Sequence, residues 1–245
     1  MNESRTAANP GSDVHVTPEG GGRPRREPLS RERIIRAALR IMDEEGLEAV
    51  TMRRVGRDLG VQAMSLYNHV RDKEDILDGI SEEVLGDFRM PRADHWVEAA
   101  RLTAHEFRRM LLAHPNVMRL ITEREKPFTN PDSLQIYEYT LGLFRSAGLA
   151  PADAARAFHV FGGYILGSVT MELGLMVGGP RDEADAQSHQ EMARLVASAD
   201  LPRLREAMPF LMDCDVEEQF EFGLDLLIEG LRTRAASTSP SSPTR

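Results

Sequence analysis

The chain is short of cysteine, of any leader-like segment, of enzyme signatures and of positive charge. Its one cysteine, Cys214, excludes an internal disulfide and a cysteine-cluster zinc site. A lone cysteine suits a reducing compartment. Its neighbours Asp213 and Asp215 disfavour the thiolate, so Cys214 is not read as a nucleophile. The opening residues, MNESRTAANPGSDVH, join no basic segment to an apolar one, so no signal peptide is expected and the protein is placed in the cytoplasm. There is no G-x-S-x-G elbow. His105-Glu106 lacks the second histidine of a zinc-protease motif, and Gly162–Gly167 is followed by Ser168 where a phosphate loop needs lysine. No catalytic residue, cofactor or bound metal is expected, and His105, His114 and His159 read as scattered surface or core histidines. Lys and Arg number 30 against 39 Asp and Glu. By that net charge of −9 alone, nucleic acid would not be the expected partner.

The distribution of charge changes that reading. Residues 23–75 hold 12 Lys and Arg against 10 Asp and Glu, a net of +2, which leaves −11 on the rest of the chain. A basic-leaning segment on an acidic body suits a duplex-binding head. Of the 245 residues, 41% are hydrophobic and 28% charged, enough for a sizeable core. The apolar spacing is helical nearly throughout, so the expected fold is all-α. Gly, Pro and Ser mark residues 1–28 as a disordered arm and 233–245 as a disordered tail. Between them, 29–90 reads as a helix-turn-helix domain and 91–232 as a larger helical domain.

In the first domain, Ser30 suits the N-cap of a helix whose stripe is Ile34, Ala38 and Ile41, closed by Gly46. Thr51 suits the cap of Met52–Leu59, which stops at Gly60. A short helix is expected over Ala63–Val70, and Asp72 suits the cap of the next. Helix, glycine, short helix is helix-turn-helix spacing. With Val61, Leu66 and Val70 facing inward, the short helix exposes Gln62, Met64, Ser65, Tyr67, Asn68 and His69, with no acid among them. In a major groove Asn68 suits adenine, Tyr67 a phosphate, and Ala63 and Met64 a thymine methyl. Thr51, Arg53, Arg54 and Lys73 sit at helix starts, where amides and cations meet phosphate. Arg23, Arg25 and Arg26 offer further minor-groove or phosphate contacts.

Residues 30–80 resemble the DNA-binding domain of the TetR family of bacterial regulators. The resemblance rests on Gly46-Leu47, Thr51-Met52-Arg53-Arg54-Val55, Leu59-Gly60-Val61, Leu66-Tyr67-Asn68-His69-Val70, Lys73 and Leu77. It extends to Trp96, Leu166-Gly167-Ser168-Val169 and Phe222–Leu231, which are similar to the tetracycline-repressor subgroup. The family implies an all-helical homodimer that binds a palindromic operator and releases it to a small molecule. Many members have Ser or Thr where this chain has Gln62, a poor cap freed for base contact.

The resemblance also implies ligand contacts near Arg89, Thr103, Phe107, Thr140 and Met171, with Tyr137, Phe144 and Tyr164 as further lining candidates. Thr103 and Thr140 replace the amides that grip tetracycline. No histidine falls near Met118–Thr122, where the subgroup binds magnesium, and Met171 stands at its metal-side glutamate, one residue from Glu172. Tetracycline with magnesium is therefore not the expected effector; a less polar, hydrophobic or amphipathic molecule is.

Helices are also expected from Asp94 to His114, over Pro131–Ala147, over Pro151–Val177 and over Val216–Arg232, with a polar, weakly helical stretch at 181–200. The apolar segment 160–179 contains Gly163-x-x-x-Gly167, a membrane-dimer spacing, but Glu172 and its glycines favour a buried helix at a dimer interface over a membrane span. Two other classes stay open: a DNA-binding regulator controlled by a protein partner or constitutive, and an enzyme with an appended helix-turn-helix.

Overall fold

The computed structural model describes residues 28–123, 131–174, 185–212 and 215–238. These form eleven α-helices and one 3₁₀ turn, with no strand among the described residues. The expected all-α fold holds.

The head is built by local capping chemistry. Helix α1 (Arg31–Glu45) starts where the Ser30 hydroxyl accepts from the Arg33 N–H at 3.3 Å, and it closes at Gly46, whose φ is +89°. After the 3₁₀ turn Leu47–Ala49, α2 (Met52–Leu59) starts on Thr51, whose hydroxyl accepts from the Arg54 N–H at 3.1 Å. Gly60 ends α2 in the left-handed region, φ 69° and ψ 32°, where a Cβ would be strained. Helix α3 is Ala63–Leu66, and α4 (Lys73–Gly86) starts on Asp72, which accepts from the Asp75 N–H at 2.8 Å.

Helix α3 is shorter than its spacing predicts. It ends at Leu66, and a turn through Tyr67 lets the His69 and Val70 N–H groups both reach the Leu66 carbonyl. That turn buries Val70 beside Leu66, so core packing overrides a further helical turn. Around them Ile34, Ile41, Met42, Val50, Val55, Ile76 and Ile80 are also buried. Each such side chain contributes roughly 1.5–3 kcal/mol by leaving water.

The body follows as α5 (Trp96–Ala113), α6 (Pro115–Glu123), α7 (Pro131–Ser146), α8 (Pro151–Glu172), α9 (Asp185–Ser198), α10 (Pro202–Met212) and α11 (Val216–Thr238). Helix α7 packs on α8 and α5, α11 packs on α8 and α5, and α9 packs on α10. Phe144, Phe161, Ile165, Val169, Phe220, Leu224 and Ile228 are buried at these contacts, while Leu227 is half-buried.

Several boundaries differ from the sequence reading. Helix α5 starts from His95 without a side-chain cap, not from Asp94. Pro115 ends α5 as expected but also begins α6, because a proline fits the first position of a helix, where no N–H is needed. Helix α8 stops at Glu172, because Gly174 at φ +67° provides a left-handed stop before the double glycine. The stretch read as weakly helical carries α9. The tail expected from 233 is helical to Thr238: Ala235 is buried and the Arg234 guanidinium pairs with Asp153 at 3.0 Å. The arm over 1–28 lies, Pro28 apart, outside the described residues, as do Cys214 and residues 175–179 of the apolar segment. Among the described residues no helix is long and apolar enough to cross a membrane.

Candidate functional site

Two sites emerge, joined by α4. The first is the outer face of the head. Around α3, Gln62, Met64, Tyr67, Asn68 and His69 are exposed, and Ala63 and Ser65 are half-buried. Met64 shows 72% of its surface and Tyr67 49%, unusual values for residues with so much apolar area. Gln62 occupies the N-cap position but makes no side-chain capping bond, as its chemistry predicts. Behind this face, a Cβ on Gly56 would lie 3.1 Å from the Val61 carbonyl oxygen and 3.2 Å from the Ala63 nitrogen. The missing side chain is what lets α3 approach α2 so closely.

The cations divide. Arg53 is exposed at the start of α2 beside Thr51, and Lys73 is half-buried at the start of α4. The phosphate role expected of Arg54 is corrected by its partners. Its Nε donates to Glu45 at 3.1 and 3.2 Å, its Nη1 lies 3.5 Å from Asp58, and only 20% of the side chain is exposed. Arg54 braces α2 against the end of α1. Arg71, which sequence reasoning passed over, is 80% exposed between α3 and α4.

Sequence reasoning also missed what holds this face in place. The buried Asp75 carboxylate accepts from the Arg71 N–H at 2.9 Å and from the Arg31 Nη2 at 3.3 Å. It thereby ties the turn after α3 to α4 and α1. The Arg71 amide, then the two guanidiniums, hold the Asp75 carboxyl below the usual carboxylate range against the opposing effect of burial.

The second site is a cavity of about 300 Å³ between α4, α5, α7 and α8. Of the residues named as ligand contacts, Thr103, Phe107, Tyr137 and Thr140 line it. Four other candidates do not, and each is a correction. Phe144 is fully buried, edge-on to Phe161 at 5.5 Å, and is plain core. Tyr164 stacks on Phe220 and donates to its carbonyl at 2.6 Å, fastening α8 to α11. Met171 is half-buried near the end of α8, outside the lining. Arg89 is exposed; its N–H donates to Glu106 at 3.3 Å, and it borders a separate open groove with Arg108 and Arg109.

Missed lining residues are Leu85 in the last turn of α4 and Phe88 just beyond it, Ile136 on α7, and Phe158, His159, Phe161, Gly162, Gly163, Ile165 and Leu166 on α8. Residues 158, 161, 162, 165 and 166 recur at helical spacing, so a stripe analysis of α8 would have found them. Leu85 and Phe88 carry no such signal, because they meet the cavity only through the packing of head on body.

Among the described residues, His105, Glu217 and Glu221 place one ligand atom each within 4.8 Å of the others. Their carboxylates are already engaged: Arg108 pairs with Glu217, and Arg101 with Glu221 at 3.0 Å. His105 Nε2 lies 2.7 Å from Glu221. With the Arg108–Glu172 pair at 2.9 Å, this is an ionic lattice that fastens α5 to α8 and α11.

A helix-turn-helix head on a helical body with an internal apolar cavity defines a ligand-binding DNA-binding regulator. Comparison with known proteins gives the family. Residues 34–80 match the model of bacterial regulatory proteins of the tetR family, and residues 90–235 match the tetracyclin repressor-like C-terminal domain. The chain belongs to the TetR family. It is 29% identical to an HTH-type transcriptional regulator of Saccharopolyspora erythraea, over 95% of this chain and 98% of the relative. It is 30% identical to the class C tetracycline repressor protein of Escherichia coli, over 86% of this chain and 94% of that one. Apo ActR from Streptomyces coelicolor superposes with a TM-score of 0.74 at 27% identity, covering 87% of this chain and 99% of ActR. ActR in complex with actinorhodin gives 0.73 at the same identity, with 87% of this chain and all of that one covered.

Proposed function

We propose that this regulator binds a palindromic operator as a homodimer and leaves it when a small hydrophobic or amphipathic effector fills the cavity. The observation that carries the reading is the course of α4. Its first turn, capped by Asp72, is anchored through Asp75 to the turn that follows α3, and its last turn and Phe88 line the cavity. A ligand that separates α4 from α5 and α8 moves the head. DNA affinity then falls by the ratio of the ligand's affinities for the two arrangements. The complex of ActR with actinorhodin supports an effector over control by a protein partner. No catalytic role is assigned to any residue.

On the DNA, Gln62, Ala63, Met64, Ser65, Asn68 and His69 face base edges. Thr51, Arg53, Tyr67 and Lys73 fix the register on phosphate. Helices α8 and α11 supply the dimer face: Val160, Phe222 and Leu226 are more than half exposed there. Gly163, Gly167 and Gly230 meet no heavy atom within 4 Å of an added Cβ, which leaves room for a partner helix. Pairing sets the two α3 segments about 34 Å apart, one turn of duplex. The test is protection mapping on the DNA flanking the gene, followed by titration of the protected fragment with and without cavity ligands. A palindromic footprint weakened by a ligand is expected; a footprint indifferent to every ligand that binds the cavity removes the effector.

A further inference from the structure

The chemistry of the cavity names the class of molecule it takes, an inference that rests on reading the cavity as the effector site. None of its lining residues is Asp, Glu, Lys or Arg. An ionised ligand would lose its hydration there without gaining a counter-charge, so the effector enters uncharged. Five of the lining side chains are aromatic. Phe88 meets Phe107 edge-on at 6.0 Å, and Tyr137 meets Phe158 at 4.6 Å, so one ring pair lines the space where the chain leaves α4 beside α5 and another lines it from α7 and α8. Helix α8 also lines the space with Gly162, where an added Cβ would touch nothing within 4 Å. This bare backbone strip is a flat seat for a planar ring, and a volume of about 300 Å³ is at the small end of ligand sites.

Two polar atoms of the lining are left as acceptors. The Thr103 hydroxyl spends its hydrogen on the Ala99 carbonyl at 2.6 Å. Its neighbour Tyr139, 3.2 Å away, spends its own on the Pro91 carbonyl at 2.6 Å. Thr103 Oγ1 therefore has only lone pairs left for a ligand. His159 repeats the pattern at the exposed mouth of the cavity. Its Nδ1 lies 2.8 Å from the Ala155 carbonyl, which can only accept, so Nδ1 carries a proton and, in the neutral tautomer this selects, Nε2 is the acceptor. A ligand matched to these atoms brings hydrogen-bond donors.

We propose that the effector is a small, uncharged, planar aromatic compound bearing a hydroxyl group, that its ring lies on α8 at Gly162, and that its hydroxyl donates to Nε2 of His159. The experiment uses the full chain and one ring system: 2-naphthol, naphthalene and 2-naphthoate, titrated by calorimetry and, separately, against a labelled operator. Wild-type protein binds 2-naphthol at least tenfold more tightly than naphthalene and does not bind the carboxylate. His159→Phe keeps the ring but removes the acceptor, and it abolishes the preference for naphthol over naphthalene. Gly162→Leu fills the seat and abolishes binding of both, while its melting temperature stays at or above that of wild type. Equal binding of naphthol and naphthoate, an undiminished preference in His159→Phe, or no binding of any probe at millimolar concentration overturns the proposal. Naphthol binding that depends on His159 but leaves operator affinity unchanged upholds the cavity chemistry and instead overturns the effector reading.

Discussion

Single side chains decide whether α3 reads DNA. Tyr67 is large, half exposed and placed where the short helix turns. Tyr67→Ala is expected to weaken operator binding by roughly 1–3 kcal/mol at low salt, as measured by fluorescence anisotropy. Lys73 is a point charge at a helix start. Lys73→Ala should weaken operator and unrelated duplex alike and lower the slope of log K against log salt by about one. Asp75 acts one step back, as the residue that positions the α3–α4 turn. Its pKa is depressed on folding, chiefly by the Arg71 amide. The stability this contributes is complete above the unfolded value of about 3.9 and is lost as pH falls through the lower folded value. Asp75→Asn should therefore destabilise the protein by about 1–3 kcal/mol at pH 7, with the difference from wild type shrinking in urea melts below pH 4. The exposed residues of α3 were legible in the sequence, because their types and order carry the signal. The partners of Arg54 were not, since Glu45 and Asp58 reach it only once α1 and α2 are packed.

At the scale of elements, caps and glycines explain what sequence reading achieved. Ser30, Thr51, Asp72, Gly46 and Gly60 each perform the local task their chemistry predicts. Local chemistry also has limits: Asp94 has the right side chain for a cap, yet α5 starts one residue later, and Pro115 opens one helix as it closes another. The helix-turn-helix geometry depends on two glycines for different reasons. Gly60→Ala meets backbone strain of roughly 1–2 kcal/mol at a left-handed position. Gly56→Ala meets the backbone of Val61 and Ala63 at 3.1–3.3 Å. It should cost about 1–3 kcal/mol in thermal unfolding, as overpacking does, and should also weaken operator binding, because the relief is to push α3 outward. Loss of stability in Gly56→Ala with operator affinity unchanged would mean that α3 is not the reading element.

The whole molecule couples two surfaces that share no residue. The proposed DNA face lies at one end of α4 and the cavity at the other, and the apolar faces of α8 and α11 remain open on the body. Leu226, 61% exposed on α11, lies at the centre of the proposed dimer face. Leu226→Asp should yield a monomer in sedimentation velocity and lose most operator affinity, because one head then binds without the second. A monomeric wild type, or a variant that still sediments as a dimer, would place the interface elsewhere. The sequence alone determined the helical fold, the head, the exposed face of α3 and the family, because each is written in residues close along the chain: caps, glycines, apolar period and side-chain type. Only the tertiary structure decided which aromatics enclose a cavity and which are plain core, that Arg54 is a brace and Asp75 an anchor, and that the end of α4 reaches the ligand space. Those facts depend on contacts between residues tens of positions apart, and helical periodicity states which face of a helix is buried without stating what covers it.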